Sequence, residues 1–239
     1  MPKIWTKEAV IERLRIISEK GYIPVPQNMF RTDDGIVGQI LEREFGINEN
    51  NLHIADLGTY ELKGMRKNKK NMLTLFHQTS TYGMTPVEIF NKYGYIKASN
   101  RTGIMKKKLF TTIRGNNYNN RGFILRANAE DEIYLYHGDD YLATWNLTVG
   151  KAKIHKVVLV FAETIGITDS PSEKFHYIEG YLLSHPRPLD EAISSGAVVM
   201  DLCIDQPADG SAGVHDRGPH IRIPVAKLHY LFDEIEQIL

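Results

Sequence analysis

The stretch that most constrains the fold of this chain is residues 53–70, which read HIADLGTYELKGMRKNKK. Its pattern predicts a β-hairpin, with one strand over residues 53–57 and a returning strand over residues 60–64. Gly58 and Thr59 stand between these segments and supply the turn. Because side chains alternate between the two faces of a strand, the hairpin fixes which of its polar residues lie together.

Three charged residues of this hairpin are candidates for a catalytic centre. Glu61 and Lys63 share one face of the returning strand, and Asp56 lies at the end of the partner strand. Two carboxylates held close repel each other, and a hard cation such as Mg²⁺ relieves that repulsion. Such an ion binds phosphate oxygens and activates water, while a lysine steadies the charge that develops on the phosphate. The same pattern also fits a hairpin with a merely solvated charged face.

The segments on either side of the hairpin favour the catalytic interpretation. A basic run follows it, at Arg66, Lys67, Lys69 and Lys70, and suits contact with a phosphate backbone. An amphipathic helix just upstream carries Glu42, a candidate for a third carboxylate. Both features are more natural beside a site that acts on a phosphate backbone than beside a structural hairpin.

The composition limits the class of protein. The 239 residues, 42% of them hydrophobic, suit one compact unit or two interlocked lobes with a substantial core. No apolar run reaches transmembrane length and the N-terminus is no signal peptide, so we expect a soluble, cytoplasmic protein of a prokaryote. The single cysteine, Cys203, excludes a disulfide within the chain and a zinc cluster, and we expect it to be a buried small hydrophobic residue.

The charges balance, with 29 basic and 29 acidic residues, which argues against a non-specific nucleic-acid-binding protein. The basic residues are nevertheless clustered, and beyond the hairpin they include Lys106, Lys107, Lys108, Arg114 and Arg121. A neutral chain with basic stripes suits a protein that binds DNA in a cleft and then releases it.

The order of elements is typical of a mixed α/β fold. Apolar spacing and capping residues predict helix 6–20, helix 36–45, strand 72–78 and helix 85–94. Leu73, Leu75 and His77 are expected to share one face of their strand. The apolar segment 156–165 is the candidate for a buried strand that completes the sheet. The remaining predicted elements are strands 106–113, 122–129, 175–183 and 197–205, a short helix 189–195 and a final helix 225–238.

A second polar cluster lies near the C-terminus, where residues 215–222 read HDRGPHIR. Glycine and proline predict a loop that enters a strand. One interpretation is a polar surface loop with a capped histidine. The other is recognition of DNA bases, because arginine bonds to O6 and N7 of guanine and aspartate accepts from N4 of cytosine.

Several segments together resemble a known nuclease family. DLGTYELKGMR, preceded by GQILEREFG, resembles the PD-(D/E)xK nuclease core in its MutH-like form. LTLFH, MKKKLFTTI, LVFAETIG, VMDLCIDQ and HDRGPHIRIP resemble, in order and spacing, the MvaI/BcnI restriction endonuclease family on its BcnI side. Ala55 stands where the superfamily has the proline of its name, a residue that plays no chemical role.

The resemblance implies an α/β fold in which a mixed sheet is flanked by helices, with two lobes around a DNA cleft. It places a catalytic lobe at residues 1–95 and 151–185, and an insertion that contributes to DNA recognition at residues 96–150. Residues 186–239 are expected to form a DNA-recognition lobe and a C-terminal helix. Double-stranded DNA is thus the expected partner, and a monomer the expected form.

The resemblance also implies a role for each candidate residue. Asp56, Glu61 and the Leu62 carbonyl are expected to hold Mg²⁺, Lys63 to position or activate water, and Glu42 to assist. The residues expected to bind DNA are His77, Lys107, Lys108, Asp201, Asp205, Arg217, His220 and Arg222. Members of the family cut CCSGG or CCWGG after the second C, and the BcnI-like segments favour CCSGG, in which S means C or G.

Two other functions fit the same residues. One is a catalytically silent DNA-binding protein on the same fold, although the intact Asp56, Glu61 and Lys63 argue against it. The other is a MutH-type repair nickase, which needs partner proteins for activity. A restriction endonuclease instead needs a cognate DNA methyltransferase in the same host, without direct contact between the two.

Overall fold

The computed structural model describes residues 4–29, 35–47, 55–67, 72–100 and 102–239. The chain divides into two compact units. The first unit comprises residues 1–71, 152–186 and 232–239, and the second unit comprises residues 72–151 and 187–231. Each unit therefore draws on segments that are far apart in the sequence.

The described residues form α-helices α1 (Lys7–Glu19), α2 (Ile36–Glu44), α3 (Pro86–Tyr93), α4 (Thr148–Ala152) and α5 (Leu189–Ser194). Short 3-10 helices occupy Gln27–Met29 and Val225–Tyr230. Within the described ranges, no helix is both long enough and apolar enough to cross a membrane.

The strands of the described residues are β1 (Ile23–Pro24), β2 (Glu61–Arg66), β3 (Met72–His77), β4 (Tyr82–Gly83), β5 (Tyr95–Ala98), β6 (Met105–Ile113), β7 (Phe123–Ala127), β8 (Glu132–His137), β9 (Asp140–Asn146), β10 (Lys156–Ile165), β11 (Lys174–Pro186), β12 (Val199–Pro207), β13 (His215–Asp216), β14 (His220–Pro224) and β15 (Phe232–Gln237).

The sheet of the first unit is built around β10. Its strands follow the order β1, β11, β10, β2, and β15 also pairs with β11. β2 runs parallel to β10, with Glu61 opposite Val157, whereas β1, β10 and β15 are antiparallel to β11. Val158 and Val160 are fully buried, as expected of a central strand, so the predicted completing strand is confirmed.

α1 forms as its sequence predicts. Thr6 caps the helix by accepting a hydrogen bond from a backbone N–H of the first turn, and Val10, Leu14 and Ile17 form the buried stripe. Gly21 follows the helix with a φ of +67°, a conformation that favours glycine. The stripe packs into one core with residues of α2, β10 and β11.

α2 lies against β2, the strand that carries the predicted catalytic residues. A Cβ added to Gly64 would lie 2.9 Å from Cα of Gly38 and 3.0 Å from the carbonyl oxygen of Val37. Glycine at this position therefore allows helix and strand to approach closely. From β11, the Tyr177 hydroxyl donates to the same Val37 carbonyl at 2.7 Å, which fixes α2 over the sheet.

The predicted first strand of the hairpin does not form at residues 55–57, the part of it that the structure describes. Residues 55–60 form turns, with Leu57 N–H donating to the Tyr60 carbonyl at 3.0 Å, and residues 51–54 lie outside the described part of the chain. β2 pairs with β10 instead. The physical reason is that β10 offers a long apolar partner, and pairing with it buries more surface than a local hairpin would.

The predicted third strand forms, but in the other unit. β3 pairs with β14, so it is not part of the sheet that contains β2 and β10. A register shift opposite Ile221 leaves Leu75 as an extra residue, which breaks the alternation of side chains. Phe76 is therefore buried and His77 exposed, contrary to the expected shared face of Leu73, Leu75 and His77.

The predicted C-terminal helix is wrong. Val225–Tyr230 form a 3-10 helix, and Phe232–Gln237 form β15, which pairs with β11. Phe232 is buried, whereas Ile235 is 43% exposed, so the helical apolar stripe does not exist. Pairing with an available strand outweighs the helix propensity of this glutamate-rich segment.

The second unit contains two antiparallel sheets among its described residues. The larger follows the order β3, β14, β12, β6, β5, with β13 paired to β12, and the smaller follows the order β4, β9, β8, β7. α3 begins with the predicted capping box of Thr85 and Glu88 and ends before Gly94. α5, β6, β7 and β12 also match the predicted elements, while the β8–β9 hairpin is an addition to them.

The boundaries of the two units differ from the expected lobes in two places. Residues 72–95, expected in the catalytic lobe, belong to the second unit, and residues 232–239, expected with the recognition lobe, belong to the first. Both differences follow from strand pairing, because β3 joins β14 and β15 joins β11.

Candidate functional site

The N-terminal end of β2 carries the predicted catalytic residues. Glu61 is the first residue of the strand and is only 4% exposed. Lys63 lies two residues further on the same face, and its Nζ donates to Oε1 of Glu61 at 2.7 Å. The alternation of the strand thus brings the carboxylate and the ammonium group together, as the sequence predicts.

The turn before β2 places Asp56 at the same end of the strand. Oδ2 of Asp56 accepts a hydrogen bond from the Leu62 N–H at 2.9 Å. This N–H therefore points to the edge of β2 that lies away from β10, an edge that no described strand covers. Because the N–H and C=O groups of one strand residue point to the same side, the Leu62 carbonyl faces this edge as well.

The Glu61 carboxyl group is in an environment that disfavours its ionised form. Burial is the largest influence and raises its pKa, the Lys63 ammonium group lowers it, and the Asp56 carboxylate raises it. Oε2 of Glu61 is buried and has no hydrogen-bond partner among the described residues. A buried carboxylate oxygen without a partner costs stability, so a water or an ion bound to this oxygen would stabilise the site.

These groups fit a hard divalent cation, because carboxylate and carbonyl oxygens are the ligands that such ions prefer. In the described part of the chain, no group of three or more His, Cys, Asp or Glu side chains is arranged to hold a metal ion. The site therefore offers two carboxylates and a main-chain oxygen. Mg²⁺ suits so sparse a set, since it binds proteins through one or two carboxylates and keeps several waters.

Glu42 lies half-buried on α2. The pKa of Tyr177 is raised well above its usual value by burial and then by the charges of Glu44 and Glu42. Since α2 packs on β2, Glu42 lies on the element next to the carboxylate pair.

The predicted DNA-binding residues lie in the second unit, mostly on one face of its larger sheet. Alternation along β12 puts Asp201, Cys203 and Asp205 on this face, and strand pairing adds His220 opposite Asp201 and His77 opposite His220. We term it the polar face; its further members are Lys106, Lys108, Thr112, Arg217 and Arg222. Cys203 is half-buried rather than buried, and burial raises the pKa of its thiol.

Asp201 uses both of its carboxylate oxygens and is 6% exposed. Oδ1 accepts from the Thr112 hydroxyl at 2.5 Å, and Oδ2 accepts from Nη1 of Arg222 at 2.8 Å. Arg222 also donates through Nη2 to the Met72 carbonyl at 3.2 Å, and its buried Nε has no partner among the described residues. Asp201 therefore holds the guanidinium group in one orientation.

Asp205 holds two cations in the same way and is 4% exposed. Its Oδ1 lies 2.7 Å from Nζ of Lys106, and its Oδ2 lies 3.5 Å from Nη1 of Arg217. The Arg217 guanidinium group also lies 5.7 Å from the centroid of the Phe110 ring. The polar face thus presents arginines whose positions are set by buried aspartates.

Two histidines stand together on the polar face. The rings of His77 and His220 are in an edge-to-face arrangement with centroids 6.2 Å apart. Burial, followed by the charges of Arg222 and His77, lowers the pKa of His220. The lowered pKa favours the neutral form of His220, whose ring offers one hydrogen-bond donor and one acceptor.

The two lysines predicted to bind DNA lie on opposite faces of their strand. Lys108 is opposite Asp205, on the polar face. Lys107 points the other way, where its Nζ donates to the Asn91 carbonyl at 2.9 Å and lies 5.0 Å from the Phe90 ring centroid. The structure therefore separates Lys107 from the other predicted DNA-binding residues.

The basic run after β2 is partly committed to ion pairs. Arg66 bonds to the buried carboxylate of Glu173 at 2.8 Å, and Lys67 lies 2.8 Å from Glu179. Residues 68–71, which include the other two lysines of the run, lie outside the described residues. Arg66 thus has a structural role in the first unit that the sequence does not reveal.

Comparison with known proteins assigns the chain to a family. The sequence model of the MvaI/BcnI restriction endonuclease family matches residues 11–232. This chain belongs to that family. No curated protein matches it. The solved structure of the complex of restriction endonuclease MvaI with its cognate DNA substrate is similar with a TM-score of 0.78, at 19% identity, covering 98% of this chain and 100% of that one. MvaI in the absence of DNA is similar with a TM-score of 0.51, at 17% identity, covering 99% and 100%.

Membership in the MvaI/BcnI family makes the chain a type II restriction endonuclease, a site-specific nuclease that cleaves DNA. The predicted mixed α/β fold is confirmed by the likeness to MvaI. Restriction endonucleases depend on divalent metal ions, which agrees with the carboxylate pair at the start of β2.

Three further residues belong to these sites. Lys106 stands in one of the basic clusters of the sequence, whereas Lys153 and Thr112 carry no signal there. Burial raises the pKa of Glu61, and the charge of Lys153 lowers it. Lys106 donates a hydrogen bond to Asp205, and Thr112 donates one to Asp201. The parallel pairing of β10 with β2 brings the segment before β10 next to the turn before β2. The register of β6 on β12 places Thr112 and Lys106 beside the aspartates to which they bond. Both depend on long-range strand pairing.

Proposed function

We propose that this chain cuts double-stranded DNA within CCSGG, after the second C, by Mg²⁺-dependent hydrolysis. The observation that carries the proposal is the Glu61 carboxylate, which is buried beside Lys63 and keeps one oxygen without a partner among the described residues. In-line attack of water on the phosphorus leaves a 5′-phosphate in this mechanism.

Asp56, Glu61 and the Leu62 carbonyl hold the metal ion in this proposal. When bound, Mg²⁺ neutralises charge on the phosphate and makes a bound water more acidic. Asp56 is oriented for this role by the hydrogen bond from Leu62 N–H, and Glu61 contributes the oxygen that lacks a partner. A cation beside Glu61 also keeps that carboxyl group ionised against the effect of burial.

Lys63 acts on the reacting water or phosphate. Its ammonium group has three N–H donors, and the hydrogen bond to Glu61 uses one of them. The other two are available to a water or a phosphate oxygen, where positive charge stabilises the transition state. Glu42 assists from α2, which packs on β2.

The polar face reads the bases. Arg217 and Arg222 donate to guanine, while Asp201 and Asp205 act in DNA binding by orienting these arginines. His77 and His220 contact the central pair of the site, and Lys108 contacts the backbone. The contacts of Lys107 with α3 count against the role in DNA binding expected for it.

The enzyme works as a monomer, one strand at a time. The sequence holds one Asp56, Glu61 and Lys63 cluster, which reaches one scissile phosphate in each binding event. CCSGG is not a perfect palindrome at its centre, so the two orientations of the protein on DNA are not equivalent. Methylation by a cognate methyltransferase protects the host DNA without contact between the two proteins.

Digestion of a plasmid of known sequence with the purified protein, followed by sequencing of the ends, tests this function. Cutting at CC^SGG in Mg²⁺ and intact plasmid in EDTA are expected. Ends within CCWGG would correct the target. Activity only after addition of other host proteins would favour the repair nickase, and specific binding without cleavage would favour the silent DNA-binding protein.

A further inference from the structure

A pocket in the second unit lies beside the polar face and shares Thr112 with it. Its volume is about 540 Å³, and it is lined by residues of β5, β6 and the loop at residues 114–121. The lining includes Arg114 and Arg121 and no acidic residue. The pocket therefore attracts anions.

Neither arginine is neutralised within the structure. Among the residues that the structure describes, Arg114 and Arg121 form no ion pair, whereas Arg217 and Arg222 are both bound to aspartates. The Arg121 guanidinium group lies on the Tyr95 ring, 3.7 Å from its centroid. Stacking fixes the plane of the guanidinium group and leaves its N–H donors free to point into the pocket.

The loop that forms the pocket wall is held in place by one side chain. Nδ2 of Asn119 donates to the Thr111 hydroxyl and to the Thr112 carbonyl, each at 2.9 Å. Its Oδ1 accepts from the N–H groups of Arg121 at 2.9 Å and Phe123 at 3.1 Å. A loop fixed by four hydrogen bonds loses little conformational entropy when a ligand binds.

The loop is also packed tightly against α5. A Cβ on Gly115 would collide with the Ile193 carbonyl, and a Cβ on Gly196 would collide with the side chain of Asn116. Glycine at these two positions allows the loop to sit against the helix. The pocket is therefore preformed rather than created by a ligand.

The pocket adjoins the polar face. Phe110 lines the pocket and also contacts the Arg217 guanidinium group, and Thr112 lines it and donates to Asp201. DNA whose bases meet the polar face would therefore extend its backbone past the pocket. The anion that reaches the pocket in this arrangement is a backbone phosphate next to the recognised bases.

We infer that this pocket binds a phosphate of the DNA backbone outside the recognised base pairs, an inference that rests on the proposed function. The arginines bind the phosphate through paired N–H donors, and the rings of Tyr95 and Phe110 pack against the deoxyribose. Contacts of this kind set affinity and position on the duplex but carry no sequence information.

The double variant Arg114→Gln/Arg121→Gln tests the inference. Binding is measured in Ca²⁺ by fluorescence anisotropy, on a duplex that contains the cut sequence and on a random duplex, over a range of salt. The double variant no longer neutralises this phosphate, so the slope of log affinity against log salt becomes shallower by about 0.9. The decrease in affinity between 50 and 200 mM salt is then roughly 3.5-fold smaller than in the wild type.

Two further variants separate this effect from a loss of structure. Arg126→Gln removes the same charge from an arginine that also stacks on a tyrosine, 4.6 Å from the Tyr136 ring centroid, and should keep the wild-type slope. Arg114→Lys/Arg121→Lys keeps both charges and should also keep it. In all variants the ratio of affinities for the two duplexes is expected to stay unchanged.

A neutral methylphosphonate placed beside the cut sequence locates the bound phosphate on DNA. At one or two positions it should weaken binding of the wild type and leave Arg114→Gln/Arg121→Gln unaffected. Wild-type slopes in the double variant would overturn the inference while leaving the proposed function intact. If the variant lost only binding of inorganic phosphate, the pocket would hold a free anion and the inference would be wrong. A wild-type protein that bound no duplex would overturn both proposals.

Discussion

The two candidate sites of this protein, one in each unit, treat their buried carboxylates in opposite ways. In the first unit, Glu61 is buried, its pKa is raised, and one of its oxygens has no partner among the described residues. In the second unit, Asp201 and Asp205 are equally buried, and both oxygens of each are bound to side chains of the same unit. A buried carboxylate with one oxygen left without a partner suits the binding of an external ligand. A buried carboxylate with both oxygens bonded suits the positioning of its neighbours. The partners of a carboxylate, rather than its burial, thus distinguish the two roles.

Lys63→Ala should have the largest effect of the variants, a loss of the DNA cleavage that we propose for the first unit. Cleavage should fall at least about a thousandfold, because the variant lacks a positive charge that stabilises the transition state. DNA binding in Ca²⁺ should stay near the wild-type value, since the change does not touch the polar face. The measurement is plasmid cleavage in Mg²⁺ together with anisotropy in Ca²⁺. Lys67→Ala is the matched control, because Lys67 follows β2 and pairs with Glu179. Near-normal cutting by Lys63→Ala would remove Lys63 from the active site.

Asp201→Asn should damage the second unit in both stability and specificity. The change leaves Arg222 without its ionised partner, so the free energy of unfolding should fall by roughly 2 kcal/mol. The ratio of affinities for cognate and random duplexes should fall as well. Urea denaturation and anisotropy measure the two effects. Asp139→Asn, in the exposed β8–β9 turn, should change stability by less than about 0.5 kcal/mol. Unchanged stability and specificity in Asp201→Asn would show that Asp201 does not position Arg222, and would contradict the role that distinguishes it from Glu61.

Glu61→Gln should have the opposite effect on stability. Burial disfavours the ionised Glu61, so the neutral glutamine should raise the free energy of unfolding in EDTA by roughly 1 kcal/mol. The pH dependence has a definite sign. The folded-state pKa is raised above 4.5, so the contribution of Glu61 to stability is present in acid and is lost as pH rises through that pKa. The free energy of unfolding of Glu61→Gln should not show this decrease as the pH rises. A variant less stable than the wild type at neutral pH would show that the hydrogen bond from Lys63 outweighs burial.

The smallest expected effect concerns the order in which the strands are cut. On a plasmid with one site, the nicked circle should appear as a transient intermediate. Replacing His77 or His220 with alanine should shift the preference for the first strand by about fivefold, equivalent to roughly 1 kcal/mol. Strand-specific end labels measure the shift. Concerted cleavage of both strands, with a dimer mass on DNA, would contradict the monomeric mechanism.

Local features of the fold could be predicted from the sequence. The cap at Thr6, the capping box at Thr85 and the apolar run of β10 each produce the element that they predict. The pairing of Glu61 with Lys63 follows from the alternation of one strand and needs no tertiary information. Such predictions succeed because the determining residues lie within one element.

The predictions that failed depended on distant pairing. β2 pairs with β10 rather than with a hairpin neighbour, and β15 is a strand because β11 offers it an edge. A single extra residue, Leu75, reversed the expected faces of Phe76 and His77. The partners of Asp201 and Asp205 likewise depend on the register between β6 and β12. Neither the choice of partner strand nor the register is encoded in the local pattern.

Binding of Mn²⁺ tests most directly the claim that the Glu61 oxygen without a partner binds a metal ion. Electron paramagnetic resonance can follow Mn²⁺ in complexes of DNA with Lys63→Ala, a background that is expected not to cut. This background should bind Mn²⁺ in the presence of DNA, and adding Glu61→Gln should weaken the affinity at least about tenfold. Equal Mn²⁺ affinity with and without Glu61→Gln would contradict the account.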